Sequence, residues 1–167
     1  GLVSSTLIDH FERTPNQDTV VIAGFGLFGQ TILEELQNKA GSQIDLVAII
    51  DNEAYRRMQI VDEQQKSKTY YERLVYQGDT SHPEVWRKLT EDIDLSRGEP
   101  VVIMGTGDPA NNLRTALWIK QKYDNTLVFV RTNDTSEFAQ AVGEEHGVHC
   151  ISITQLVEDN IPLVWLD

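Results

Sequence analysis

Gly24, Gly26 and Gly29 stand in the spacing Gly-x-Gly-x-x-Gly directly after the apolar run Val20-Val21-Ile22-Ala23. In that context each glycine has its own task. Gly24 permits the tight turn out of a strand, Gly26 lets backbone approach a pyrophosphate with no Cβ in the way, and Gly29 lets the following helix pack close to the strand. The helix that starts there aims its unpaired N–H groups and positive dipole end at the turn, an anion seat that needs no basic side chain. A second apolar run, Leu46-Val47-Ala48-Ile49-Ile50, ends in Asp51 about 20 residues after the last glycine, where a carboxylate accepts hydrogen bonds from ribose hydroxyls. The stretch also comes near a P-loop, with Gly24 and Gly29 at the right separation and Thr31 at the position of the Mg²⁺-binding hydroxyl. Gln30 takes the lysine position, which argues against Walker-type NTP hydrolysis.

The hydrophobic pattern supplies elements to position these groups. Ile32, Leu33, Leu36 and Ala40 recur at helical spacing, with Gly41 in the place of a C-cap glycine. Residues 52–72 are polar and rich in helix formers, which predicts a long, mostly exposed helix with Tyr55, Met58 and Val61 as sparse apolar positions. Leu74-Val75-Tyr76 reads as a third strand, closed by Gln77-Gly78-Asp79-Thr80. Ser81-His82-Pro83-Glu84 has the capping-box pattern with an early proline and predicts a helix that buries Val85, Trp86 and Leu89. Val101-Val102-Ile103-Met104 leads into Gly105-Thr106-Gly107, and Asp108-Pro109 opens a helix with Ala110, Leu113, Ala116 and Leu117 on one face. Leu127-Val128-Phe129-Val130 ends in Arg131, a helix carrying Phe138 and Val142 runs to Gly147, and Val148-His149-Cys150-Ile151 is a sixth strand.

Strands alternating with helices predict an α/β fold, a Rossmann-like doubly wound parallel sheet of six strands in the order 3-2-1-4-5-6. Ligands of such sheets bind outside the carboxyl ends of the strands, near the point where strand order reverses. Those ends carry Gly24-Phe25-Gly26-Leu27-Phe28-Gly29, Asp51 with Asn52, Gly78-Asp79-Thr80, Gly105-Thr106-Gly107 and Arg131. Asp79 and Thr80 read equally well as turn and cap chemistry, and Arg131 as one half of a surface ion pair.

The bulk properties narrow the classes. With 167 residues, the chain fits one domain, divided here into a helical segment and linker at 1–18, a nucleotide-binding domain at 19–153 and an apolar segment at 154–167. A formal net charge of -12 disfavours nucleic acid and anionic membrane surfaces. The single cysteine, Cys150, cannot form an internal disulfide and points to a reducing compartment. No apolar run approaches the roughly 20 residues of a membrane span. The missing initial methionine and the apolar Ile161-Pro162-Leu163-Val164-Trp165-Leu166 lead us to expect an excised fragment, and the latter to expect self-association. The main rival is a nicotinamide-dependent oxidoreductase, but neither Tyr-x-x-x-Lys nor Gly-x-Ser-x-Gly occurs. His146 and His149 with Cys150 make a poor metal set, so we assign no catalytic or metal residues and expect no enzyme. A third class, an interaction module that has lost its nucleotide, is opposed by the intact glycines and Asp51.

Beyond the glycines, the chain resembles the TrkA-N, or RCK, family of cytosolic regulatory domains of potassium channels, potassium uptake systems and Kef-type cation/proton antiporters. Residues Ile22-Ala23-Gly24-Phe25-Gly26-Leu27-Phe28-Gly29-Gln30 are similar to the antiporter version of the motif, and Gly78-Asp79-Thr80 to the family's Gly-Asp-Ala/Thr. Thr106-Gly107-Asp108 with Asn111-Asn112 resembles its Thr-Gly-Asp…Asn stretch, and Val130-Arg131-Thr132-Asn133-Asp134 its Ala-Arg-Val-Asn-Asp. The resemblance implies a module that binds NAD(H), ATP, ADP or AMP and passes the state of its site to a membrane transport protein, attached or as a subunit. It also implies a homodimer or larger ring at the cytoplasmic face of the membrane. On the matched positions Asp51 would hold the adenosine ribose, Asp79 and Thr80 would lie near the adenine, Thr106 would close the central pocket and Arg131 would face phosphate. Two departures stand out: Leu27 takes a position that is often arginine, and the segment from Asp51 to Gly78 is longer than usual.

Asp51 should favour a free 2′-hydroxyl and repel the 2′-phosphate of NADP. Arg56 and Arg57, five and six residues on, could swing back to that phosphate, but on a polar helix they read rather as solvated. With no charge at Leu27, the phosphates rest on the glycine-turn N–H groups and Arg131, which suits NAD(H) or ADP/AMP better than ATP.

Overall fold

The computed structural model describes Leu7 and residues 19–64, 71–133 and 137–152. The segments 1–18, apart from Leu7, and 154–167 lie outside the described residues, so the expected linker and apolar tail are not part of the structure described below. Six strands form one parallel sheet: β1 (Thr19–Ala23), β2 (Leu46–Asp51), β3 (Glu72–Gln77), β4 (Val101–Met104), β5 (Leu127–Thr132) and β6 (Val148–Ser152). Their order is β3-β2-β1-β4-β5-β6, as the alternation of apolar runs and helical periods implies. Five helices connect them: α1 (Leu27–Ala40), α2 (Ala54–Gln64), α3 (Pro83–Asp92), α4 (Pro109–Lys122) and α5 (Glu137–His146).

The strands are apolar on both faces because both faces are covered. Val20 and Ile22 of β1, Val47 and Ile49 of β2, and Val101 and Ile103 of β4 join a core with Ile32, Leu33 and Leu36 of α1, Met58 of α2 and Leu7. The alternate residues Val21, Ala23, Ala48, Ile50, Val102 and Met104 join a second core with Val85, Trp86 and Leu89 of α3 and Ala116 and Ile119 of α4. The period of two along each strand thus sorts neighbours into opposite layers. β1 pairs with β2 on one side and β4 on the other, so strand order reverses between β1 and β4.

Three local expectations are corrected. Of the helix expected over residues 52–72, Ala54–Gln64 is helical and 65–70 lie outside the described residues, but Glu72 belongs to β3, because its N–H donates to the Asp45 carbonyl and the ladder with β2 begins there. Ser81 does not cap α3: its N–H and hydroxyl both donate to Asp79 Oδ1, at 2.8 and 2.7 Å, and the N-cap is His82 without a side-chain bond. Glu84 is held instead by Arg87. Gly41 is the C-cap of α1 as expected, but at φ -57° and running into a 3₁₀ turn, so no left-handed residue is needed there. On α4 the buried stripe is Asn112, Thr115, Ala116 and Ile119; Ala110 is exposed, and Leu113 and Leu117 are half-buried. The Asp108 cap holds as expected, its side chain accepting from Asn111 N–H at 3.2 Å.

Candidate functional site

The carboxyl ends of β1 and β4 meet where strand order reverses, and the glycine turn is built into that junction. Gly24 has φ +96°, and a Cβ there would lie 2.7 Å from Thr106 N and 2.9 Å from the Gly105 carbonyl carbon. Both the left-handed backbone and the close approach of the β4 loop therefore require glycine. A Cβ on Gly29 would lie 2.2 Å from the Gly24 carbonyl oxygen, which lets α1 start hard against the turn. Gly26 is the N-cap of α1, no side chain caps this helix, and its first turn holds no acid. Gln30 N–H bonds the Gly26 carbonyl at 3.0 Å, so the N–H groups of Leu27, Phe28 and Gly29 have no intrahelical acceptor. Leu27 is 43% exposed and brings no charge to this end. Thr31, at the Mg²⁺ position of a P-loop, spends its hydroxyl on the Leu27 carbonyl at 2.7 Å.

Asp51 is 7% exposed and is the acceptor centre of the site. Its Oδ2 accepts from Phe25 N–H at 2.7 Å, which ties the end of β2 to the glycine turn. Its Oδ1 accepts from Glu53 N–H at 2.8 Å. Arg57 Nη1 also donates to Oδ2, at 3.1 Å, and Nη2 of the same side chain reaches Glu53 Oε2 at 3.3 Å. Arg57 is therefore not a solvated residue; it is a partner of the candidate ribose ligand. Arg56 is the solvated one of the pair, 59% exposed and bonded to Glu53. That bond from Arg56, then its charge, holds the Glu53 carboxyl below the usual range. Asn52 is exposed in the turn between β2 and α2.

Gly78 N–H donates to the Asp51 carbonyl at 3.0 Å and seats the β3 end beside β2. Asp79 shapes the turn after β3: its bonds from the Ser81 hydroxyl and N–H keep its pKa below the ordinary value. The Thr80 carbonyl accepts from Trp86 Nε1 at 2.7 Å. Thr106 donates its hydroxyl to Asn112 Oδ1 and accepts from Asp108 N–H at 3.2 Å, while Gly107 is exposed with open space around it. Asn112 Nδ2 in turn donates to the Thr106 carbonyl at 2.8 Å and the Arg131 carbonyl at 3.2 Å, so one buried amide clamps the ends of β4 and β5. Arg131 is 6% exposed. Its guanidinium carbon lies 5.0 Å from the Phe28 ring centroid and Nη1 reaches the Gly105 carbonyl at 3.5 Å. The Phe28 ring lies against Gly105, where a Cβ would come within 2.8 Å of it. Arg131 thus supports the first turn of α1 from within the domain rather than standing open to solvent.

The sequence reading assigned no role to Asn112 and placed Arg57 in solvent. A signal existed for each: Asn112 falls in the Thr-Gly-Asp…Asn stretch, and Arg57 stands four residues after Glu53, the spacing of a helical ion pair. Among the described residues no group of three or more His, Cys, Asp or Glu is placed to hold a metal ion. None of their helices is long and apolar enough to cross a membrane. A cavity lined by Thr19, Leu46, Asp92, Asp94 and Arg97 opens at the amino ends of β1 and β2, away from these groups.

Sheet order, helices on both faces and the glycine turn together define a doubly wound, Rossmann-like domain. The chain matches the model of the TrkA-N domain over residues 20–153 and belongs to that family. Among solved structures it is similar to the Kef CTD of Shewanella denitrificans in AMP bound form, at 16% identity, covering 84% of this chain and 76% of that one, with a TM-score of 0.54. At that identity the likeness is one of fold. No curated protein matches the chain.

Proposed function

We propose that this domain is the ligand-sensing regulatory module of a potassium transporter, channel or cation/proton antiporter, and that it binds an adenine nucleotide between the glycine turn and Asp51. The observation that carries the reading is the pairing of Asp51 with Phe25 N–H beside a helix start that has no side-chain cap and no acid. A carboxylate that accepts ribose hydroxyls and an N-terminus that accepts phosphate stand side by side, as an adenosine phosphate needs. Family membership and a structural neighbour described as AMP bound support the same ligand class. AMP, ADP and NAD(H) suit the site. ATP is disfavoured by Leu27, which offers no charge to a further phosphate, and NADP by the carboxylate at the ribose end. Asp79, Thr80 and Asn52 would border the adenine side, and Thr106, Gly107 and Arg131 the phosphate side. The module acts without catalysis, as a homodimer or ring joined to its transporter at the cytoplasmic face of the membrane.

Calorimetric titration of the purified chain tests the ligand. Saturable binding of AMP, ADP and NAD, with weaker binding of ATP and NADP, is the expected result. No saturable heat with any of the five at millimolar concentration would overturn it.

A further inference from the structure

We propose that Arg57 competes with the nucleotide's ribose for Asp51, so that this one side chain sets how many ribose hydroxyls the site reads. The inference rests on the nucleotide reading above and follows from counting acceptor positions. A carboxylate offers about four lone-pair positions, two on each oxygen. On Asp51, Oδ2 already accepts from Phe25 N–H at 2.7 Å and from Arg57 Nη1 at 3.1 Å, so both of its positions are filled. Oδ1 accepts from Glu53 N–H at 2.8 Å and keeps one position. A ribose cis-diol that binds a carboxylate with both hydroxyls needs one position on each oxygen. With Arg57 seated, Asp51 accepts one hydroxyl and has no place for the second.

One of the three present donors must leave, and only one can. Phe25 N–H belongs to the glycine turn and Glu53 N–H to the tight turn after β2, so both are fixed by backbone. Arg57 is a long side chain, 30% exposed, and its Nη2 already touches Glu53 Oε2 at 3.3 Å. It can swing fully onto Glu53, whose side chain is 49% exposed, and remain paired. The exchange gives up a part-buried pair with Asp51 for a more exposed one with Glu53 that Arg57 already touches, at a net cost of about two- to five-fold in an equilibrium constant. A nucleotide with a complete ribose therefore displaces Arg57 and gains its second hydroxyl bond at that discount. A deoxynucleotide uses the vacant position on Oδ1 and leaves Arg57 in place.

The test is the ratio of dissociation constants of 2′-deoxy-AMP and 3′-deoxy-AMP to that of AMP, by calorimetry, in the wild-type chain, Arg57→Met and Glu53→Gln. Taking a ratio cancels the attraction of the guanidinium for the phosphate, which all three ligands share. Arg57→Met, with the competitor gone, should raise both ratios about two- to five-fold. Glu53→Gln removes the seat to which Arg57 retreats and should lower them. Ratios unchanged in both variants, or a fall in Arg57→Met, would overturn the competition while AMP binding itself upholds the nucleotide reading. No AMP binding by the wild-type chain would overturn both.

Discussion

Replacing Asp51 by alanine separates what this residue does for the fold from what it does for a ligand. The substitution removes the acceptor of three hydrogen bonds, from Phe25 N–H, Glu53 N–H and Arg57 Nη1. Their losses are unequal. Phe25 is fully buried, and a donor left unsatisfied there costs about 1–3 kcal/mol. Glu53 is exposed, so its N–H returns to water at little cost, and Arg57 keeps its second partner, which limits that loss to about 0.2–1 kcal/mol. The total comes to about 1–4 kcal/mol, a sizeable part of an ordinary domain's stability of about 5–15 kcal/mol. At about 2–4 °C per kcal/mol for a chain of this size, Tm should fall by about 2–16 °C in the absence of any ligand. Asp51→Asn keeps a carbonyl oxygen for Phe25 and should lose only about 1 kcal/mol. Urea unfolding followed by circular dichroism, with Cm and m compared across the three proteins, gives both values. An alanine variant within about 0.5 kcal/mol of wild type, or an asparagine variant as weak as alanine, would refute the argument that Asp51 holds the glycine turn. Where the folded alanine variant can be titrated, its nucleotide affinity should be lower by a further 1.5–3 kcal/mol or so, the worth of hydrogen bonds to a charged acceptor.

Gly29→Ala, whose Cβ would lie 2.2 Å from the Gly24 carbonyl oxygen, should cost about 3 kcal/mol, whereas Gly107→Ala, with open space around it, should be neutral in the same denaturation assay. Equal stability of the two variants would refute the packing account. Asn112→Ala leaves the Thr106 and Arg131 carbonyls without their clamp and should lose about 2–4 kcal/mol; Asn112→Asp, of the same shape, should recover none of it, because it sets an oxygen against carbonyl oxygens. His149 stacks on Phe129, and partial burial, then the Lys120 charge, holds its pKa below the ordinary 6.5. The folded chain then binds fewer protons than the unfolded one, so this contribution is complete above about pH 6.5 and is lost as pH falls through the folded value. His149→Gln should flatten the decline of Tm between about pH 7 and pH 5, and parallel declines would refute it.

Sheet order, the need for glycine at Gly24 and Gly29 and the approximate strand positions were legible in the residues because each rests on a local or periodic rule. Val20 to Ala23 and Leu46 to Ile50 are continuous apolar runs, which only a strand covered on both faces explains economically. Gly24 and Gly29 occupy positions where backbone leaves no room for a Cβ, and spacing alone marks such positions. Local rules also account for the errors. The Ser81 pattern fits a capping box, but Asp79 lies two residues before it and takes the hydroxyl in a tighter turn. Apolar periodicity put Ala110 on the inner face of α4, whereas a buried polar residue, Asn112, turns that face toward the strand ends.

By itself, the sequence determined the α/β alternation, the six strands, the parallel order and the family, all of which follow from hydrophobic period and from glycines at set intervals. It also placed an acid at the end of β2. Only the tertiary structure decided what that acid touches. The bond between Phe25 and Asp51 spans 26 positions of chain, and the one between Asn112 and Arg131 spans 19. Contacts at such separations depend on how β1, β2, β4 and β5 come to lie side by side, and on which rotamer of Arg57 reaches across the start of α2. No periodicity encodes these, because a carboxylate at a strand end and a guanidinium and an amide on two helices pair with whatever the folded backbone brings within about 3 Å.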